Sequence, residues 1–460
     1  MTDSPRNATT PAADVPLGSE VELDVVNVAH GGVSVARLDG RVVFVADSLP
    51  GERVRARISA DDHSSFWRAE TVEVLEASPH RRPHIWADAA LERAPERRAG
   101  GAEFGHIELG WQRELKRQVL VDSLGRFGKL AENHPARQVE VEAVAGDDAA
   151  NGLGWRTRVS LHVDDDGIVG PYAARSHRVV AVDTLPLATP AVEYASPLDE
   201  RLMGAERVDV ISDGRRGARV VVRAEGRTAS ERPQGGARAG GTRASGKPQG
   251  GKPRGAQPGA PITERVGDRE FRLEELGFWQ VHHGAPETLS RAIRDQLLDD
   301  AFDADAPNLD LYGGVGLLAA AMADRFGGNI RIETVESDRH ATANAAHNLR
   351  DVRRATAVTA RVDRYLTGVA KAATPDDRRG FGRASVILDP PRAGAGKQVI
   401  SSLLGMRPAQ LVYVACDPVA FSRDLGQLTA GGYELRSLRA FDLFPHTHHV
   451  EALAVLTPAG

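Results

Sequence analysis

One cysteine occurs in the 460 residues. It sits in VYVACDPVAFSRDL (412–425), where an apolar strand pattern breaks and a helical one begins. Cys416 is thus a candidate nucleophile at the carboxyl end of a strand. Asp417 suits the cap of the following helix and Pro418 its first turn. The helix dipole favours thiolate while Asp417 opposes it, so the sequence leaves the direction of the thiol's pKa open. The plainer reading is a small buried hydrophobe. Two carboxylates are placed comparably. VILDPPRAG (386–394) delivers Asp389 to another strand end, where two prolines stop the strand and stiffen the loop; the alternative is an exposed acid in a tight turn. FDLFPHTHHVEALAVL (441–456) begins an apolar strand with Glu451. Partial burial there raises a carboxyl pKa and makes a usable base, unless the strand start leaves Glu451 in solvent. His446, His448 and His449 crowd the same turn, but HxHH lacks a clear partner set, and no metal is expected.

LDLYGGVGLLAA (309–320) puts Gly314, Gly316 and Ala319 in a GxGxxA pattern at a strand-to-helix turn. Such glycines let a ligand approach the backbone at the carboxyl edge of a sheet. Glu336 closes the next strand and is placed to accept hydrogen bonds from two ribose hydroxyls. NAD and S-adenosylmethionine enzymes share this arrangement, and a plain turn with a helix N-terminal acid is the structural alternative. Arg392 follows the Pro-Pro, where methyltransferases acting on amino groups usually carry an aromatic; this argues against an exocyclic-amine acceptor. A cysteine, an aspartate and a glutamate beside an S-adenosylmethionine pocket suggest one reaction. Thiolate addition at uracil C6 makes C5 nucleophilic toward a methyl sulfonium, a base removes the C5 proton, and the thiol leaves. Cys416, Glu451 and Asp389 would be nucleophile, base and pyrimidine holder.

These residues need a frame. From residue 286 strands alternate with helices, which predicts a doubly wound α/β sheet, a Rossmann-like domain at 276–460. Residues 15–78 alternate apolar and polar between HGG, LDG and LPGE turns, predicting an OB-type barrel of about five strands. Such a barrel is a structural module or an oligonucleotide binder; the period does not decide. Residues 79–275 read as a β-rich central domain with a helix over 107–128. Within it, 226–260 is rich in Gly, Pro, Arg and Lys with one acid, Glu231. It reads as a disordered loop inserted in a β-domain, a solvated spacer or an arm touching RNA phosphates. Residues 1–14 read as a disordered tail.

Composition sets the outer limits. Hydrophobic content of 41% and charged content of 26% fit a soluble globular chain. No apolar run reaches the ~18 residues of a membrane span. A formal charge of −5 means that any nucleic-acid surface must be local. A single thiol and no apolar leader make a reducing cytoplasm the expectation, with no membrane partner.

The blocks GFWQVHHGAPETL, LDLYGGVGLLA, VESD, LDPPRAG, YVACDPVAFSRDL, GGY and DLFPHTHHVE resemble the RNA uracil-C5 methyltransferases of the TrmA/RumA type. The barrel looks like a TRAM domain. The resemblance implies that Gln280, Tyr312, Glu336 and Asp389 contact S-adenosylmethionine or its surroundings, with Cys416 as nucleophile and Glu451 as base. Many relatives hold an iron–sulfur cluster on four cysteines. The corresponding places here, around Pro83–Trp86, Ala99, Ala102 and Leu185, carry none, so no cluster is expected. Gly313 stands where the family has cysteine, Asp417 where it has asparagine in CNP, and His282 where FxQVN ends in asparagine. The Gly-Asp that usually follows the third strand is not evident in TARVDRYL. The expectation is a monomeric S-adenosylmethionine-dependent enzyme forming 5-methyluridine in ribosomal RNA or, alternatively, transfer RNA. A non-catalytic RNA-binding assembly factor and a NAD(P)-binding oxidoreductase are the other readings.

Overall fold

A computed structural model describes residues 15–60, 65–212, 214, 217–224, 259 and 261–460. The expected tail (1–14) and, apart from Gly259, the 226–260 insert lie outside the described residues. Strands β1 (Glu20–Ala29), β2 (Val33–Leu38), β3 (Arg41–Ala46), β4 (Arg53–Ala60) and β5 (Phe66–Glu76) close a barrel in the order β1-β2-β3-β5-β4. Period-two alternation turns Val54, Ala56 and Ile58 inward, where they meet Leu23, Val43, Val45 and Trp67. Two ion pairs fix the barrel to the next segment. Arg81 donates to both oxygens of buried Glu52 (2.6 and 2.8 Å), and buried Arg98 pairs with Asp47 at 2.7 Å.

Next come α1 (Leu109–Arg126), β6 (Val141–Ala143), β7 (Arg158–Val163), β8 (Val169–Gly170), α2 (Pro190–Ala195), β9 (Ala205–Ser212) and β10 (Ala218–Ala224). Four of these strands form an antiparallel sheet, β10-β9-β7-β8, over a core around fully buried Trp155. Trp86, Ala99, Ala102 and Leu185 converge in that core, so the places where relatives carry cluster cysteines are packed apolar side chains. A ribbon follows, β11 (Ile262–Val266) paired with β12 (Arg269–Leu273).

The C-terminal part contains α3 (Ala285–Gln296), β13 (Asn308–Leu311), α4 (Leu317–Phe326), β14 (Arg331–Glu336), α5 (Arg339–Asn348), β15 (Arg354–Thr359), α6 (Val362–Ala372) and α7 (Pro375–Phe381). It continues with β16 (Ser385–Leu388), α8 (Gly396–Met406), β17 (Gln410–Ala415), α9 (Pro418–Ala430), β18 (Tyr433–Asp442) and β19 (Glu451–Pro458). Its sheet runs β15-β14-β13-β16-β17-β19-β18-β6. The first five strands of that order are parallel, and β19 is antiparallel to both neighbours. Both faces are covered over β16, β17 and most of β19, which is why SVIL, LVYVA and ALAVL read as apolar runs. Val412 and Val414 pack with Leu289 and Leu318 on one side; Leu411 and Tyr413 pack with Leu403 and Leu425 on the other.

Within 79–275, expected as one domain, some elements pack on the C-terminal sheet. Strand β6 pairs with β18, and Leu120 and Leu124 of α1 share a core with Leu425 and Leu428 of α9. The ribbon buries Ile262, Phe271 and Leu273 in the cluster that holds Leu289 and Leu317. Asn348 of α5 ties it down, accepting from Arg272 N at 2.8 Å and donating to Arg272 O at 3.0 Å. Short-range alternation marks a strand but does not say which layer it joins.

Candidate active site

A cleft of about 1780 Å³ opens at the carboxyl edge of the large sheet. Parallel sheets place strand-end side chains along this edge, and ligands bind where the strand order reverses, here between β13 and β16. Tyr312 and Asp389 follow those two strands, and Asp389 N donates to Leu311 O at 3.3 Å. Strand β17 delivers Cys416. In the antiparallel β17–β19 pair Ala415 faces Ala452, so the next residues outward, Cys416 and Glu451, sit side by side. Cys416, Glu451, Asp389, Tyr312, Gly314, Glu336 and Gln280 all line the cleft.

Gly316, expected at the cofactor, does not line the cleft. A side chain there would press on Leu349 and Ala345, so its role is to let α4 pack against α5. Gly314 lines the cleft. It has φ +54°, its missing Cβ would point into open space, and its N–H donates to Glu336 Oε2 at 3.2 Å. Ser337 Oγ and Asp338 N hold the other oxygen of Glu336 at 2.9 and 2.8 Å. An open glycine turn facing an anchored carboxylate fits an adenosyl cofactor such as S-adenosylmethionine. Asp363 completes this side of the cleft. The sequence reading missed it because Ala360-Arg361-Val362-Asp363 lacks the sought Gly-Asp; its signal was position alone, just past β15. Arg361 donates to both its oxygens, at 3.1 and 2.9 Å.

The reacting end is acidic. Burial, reinforced by Asp389, pushes Glu451 well above the usual carboxylate range, and burial pushes Asp389 up to about 7. Glu451 is 4% exposed, so the solvent-facing alternative fails. Cys416 is partly exposed and reachable from the cleft. Its thiol is pushed up to about 12 by burial first, then by Glu451 and Asp389, against the pull of Arg392, with Asp417 adding to the rise. The direction is upward, with burial as the main cause, and Asp417 Oδ1 takes the first N–H groups of α9, from Val419 (3.1 Å) and Ala420 (2.8 Å). Exposed Arg392 donates to His449 Nε2 at 3.1 Å.

His446 is held on both ring nitrogens: its Nδ1 lies 3.0 Å from Gln112 Nε2, and its Nε2 lies 2.8 Å from Asn151 O. Among the described residues no group of three His, Cys, Asp or Glu side chains is arranged to hold a metal ion. His282 is fully buried, stacks on Trp155 and sits 3.1 Å from Asp147, so it braces the segment after Gln280. None of the described helices is long and apolar enough to cross a membrane.

Comparison with known proteins agrees with this architecture. The tRNA (uracil-5-)-methyltransferase family model matches residues 290–458, and the TRAM domain model matches residues 15–69. An uncharacterized RNA methyltransferase of Streptomyces avermitilis is 36% identical over 456 residues, 96% of this chain and 99% of that protein. One from Bifidobacterium longum is 34% identical over 451 residues, 95% of this chain and 97% of its own. The crystal structure of Pyrococcus abyssi tRNA (uracil-54, C5)-methyltransferase in complex with S-adenosyl-L-homocysteine has the same fold. Its TM-score is 0.63 at 20% identity, covering 95% of this chain and 100% of that one.

Proposed function

The chain belongs to the TRAM-containing RNA methyltransferase family of the tRNA (uracil-5-)-methyltransferase type, and on that premise we propose that it methylates C5 of a uridine in ribosomal or transfer RNA through a transient bond from Cys416 to C6. The observation that carries the proposal is the adjacency of Cys416 and Glu451 across the β17–β19 register, with Asp389 in the same cleft. The family match spans the GxGxxA turn, so the NAD(P) reading is set aside.

Tyr312, the Gly313–Gly314 turn, Glu336 and Asp363 would hold S-adenosylmethionine, which when bound supplies an electrophilic methyl group and keeps the electron pair of the broken C–S bond. The chain's own residues do the rest. Cys416 Sγ adds to C6 of the uracil, and the displaced π electrons move toward C5 and O4. The thiol starts protonated, so its proton passes to Asp389, one of the two acids that face it, leaving Glu451 free as base; it returns to the sulfur at the end. Once C5 carries the methyl group, Glu451 takes the C5 proton. The C5–C6 double bond reforms, the S–C6 bond breaks, and the sulfur takes its electron pair back. Each turnover releases one proton. A target base inside a duplex is out of reach of such a cleft, so the uridine enters flipped out.

The test is incubation with labelled S-adenosylmethionine and total RNA from a methylation-deficient host, with nucleoside analysis. Labelled 5-methyluridine is expected. A 5-fluorouridine RNA should give a covalent adduct with the wild type and none with Cys416→Ala. RNA and cofactor binding with neither product nor adduct would leave the assembly-factor reading in its place.

A further inference from the structure

The turn between β1 and β2, His30-Gly31-Gly32, reaches from the barrel to residues that flank Cys416 and Glu451 in sequence. His30 Nε2 lies 3.2 Å from Asp417 Oδ2. Asp417 is the residue after Cys416, and its other oxygen caps α9. One carboxylate thus ties the barrel turn to the helix that starts beside the nucleophile. Two residues on, the same turn touches the segment that carries the base. A Cβ on Gly32 would stand 2.9 Å from His448 Cβ, closer than side chains tolerate. The His30 and His448 rings meet edge to face with centroids 6.4 Å apart, and Glu103 lies behind, 3.6 Å from His448 Nδ1. A single turn from the N-terminal barrel therefore abuts the supports of both Cys416 and Glu451. The buried pairs Arg81–Glu52 and Arg98–Asp47 hold the barrel in place to do so.

We propose that His30 is a positioning residue of the methyl-transfer site, fixing Asp417 and with it the strand-to-helix junction that presents Cys416, so that the barrel braces the active site from behind its lining. The inference rests on Cys416 being the nucleophile. The charged groups facing Cys416 are Glu451, Asp389, Arg392 and Asp417; those facing His30 are Asp417 and, beyond His448, Glu103. With His30 protonated the Asp417 charge is paired, and a neutral His30 still offers it a hydrogen bond. Without it, an unpaired carboxylate stands next to a thiol that must lose a proton.

The experiment measures the rate of adduct formation at saturating 5-fluorouridine-substituted ribosomal and transfer RNA transcripts, across pH, for His30→Ala, His30→Gln and His30→Ala/Asp417→Asn. The pair is partly exposed and solvent-screened, so His30→Ala is expected to slow the step by roughly 5- to 10-fold. Its acid limb should move to higher pH while the KM for RNA stays within about twofold. His30→Gln keeps a donor near the Nε2 position and should retain most of the rate while still shifting the limb. Asparagine caps a helix without charge, so the double variant should recover both rate and limb. A higher KM with an unchanged rate would make His30 a plain RNA contact and overturn the inference. A double variant as slow as His30→Ala, or variants matching the wild type, would overturn it too. If His30→Ala lowers the melting temperature, His30→Gln decides. If the wild type forms no adduct, the nucleophile assignment falls first and this inference falls with it.

Discussion

Replacing Gly313 by alanine is expected to destabilise the C-terminal domain and loosen its cofactor turn, although the new side chain is one methyl group. Gly313 has an ordinary φ, so alanine brings no backbone strain, and the effect is one of space. Its Cβ would overlap Thr334 Oγ1 and stand 2.6 Å from Asp310 Oδ2. Neither neighbour yields easily. Both are buried, and the Thr334 hydroxyl donates to Asp310 Oδ2 at 3.2 Å. Rotating Thr334 away leaves that oxygen with Ala319 N at 3.3 Å as its remaining donor, while Oδ1 has none. Overpacking costs about 1–3 kcal/mol and a lost hydrogen bond to an acidic group about 1.5–3 kcal/mol, so about 2–5 kcal/mol is expected in all. Burial already holds Asp310 up at about 7 against these two hydrogen bonds, with Asp389 and Glu336 adding. An acid raised in the folded state contributes stability below its unfolded pKa and loses it as pH rises through the folded pKa. The deficit of Gly313→Ala should therefore widen toward alkaline pH. Urea denaturation at pH about 5 and about 8 measures it, and titration calorimetry with S-adenosylmethionine should show at least a roughly tenfold weaker site. Adding Thr334→Ala removes the clashing oxygen and should restore about half the loss. A Gly313→Ala protein with the wild-type midpoint, or no rescue by Thr334→Ala, would refute this packing argument.

Three further outcomes follow from the same physics. Glu451→Gln should leave C6 addition open and block removal of the C5 proton, cutting turnover by roughly 10²–10⁴-fold. Covalent protein–RNA should then accumulate on ordinary uridine RNA, visible on denaturing gels; equal turnover in the variant would remove Glu451 as base. Asp389→Asn should abolish methyl transfer yet raise stability at pH about 8 by about 1–3 kcal/mol, with little gain near pH 4. The wild-type carboxyl is raised to about 7, so its penalty grows between the unfolded pKa of about 4 and the folded one and is full above it; thermal melts at the two pH values would show a uniform shift if this is wrong. Lys116→Met should cost about 3–5 kcal/mol, because it leaves Asp442 buried without the ammonium it pairs with. Adding Asp442→Asn should recover most of that in urea melts; no recovery would mean the loss comes from packing.

Much of the catalytic layout was legible in short stretches of sequence. A strand pattern that stops at Cys416, at Asp389 or at Glu336 puts those side chains on one sheet edge, because parallel strands in an α/β layer share a carboxyl end. The Asp417 cap and the Gly314 turn depend on backbone geometry within a few residues, so they too could be read locally. What tertiary structure alone decided lies in contacts between distant segments. The antiparallel register of β17 and β19 sets Glu451 beside Cys416, and register depends on packing rather than on either strand's own pattern. The thiol's upward shift comes from its burial first and then from the carboxylates around it, neither of which the sequence shows. The gap at Gly313 exists because Thr334 and Asp310 fill it from two other strand positions. The layer joined by the β11–β12 ribbon and the reach of His30 to Asp417 likewise appear only when the chain is folded. Alternation and capping are properties of neighbouring residues, whereas burial, charge environment and close approach belong to the packed whole.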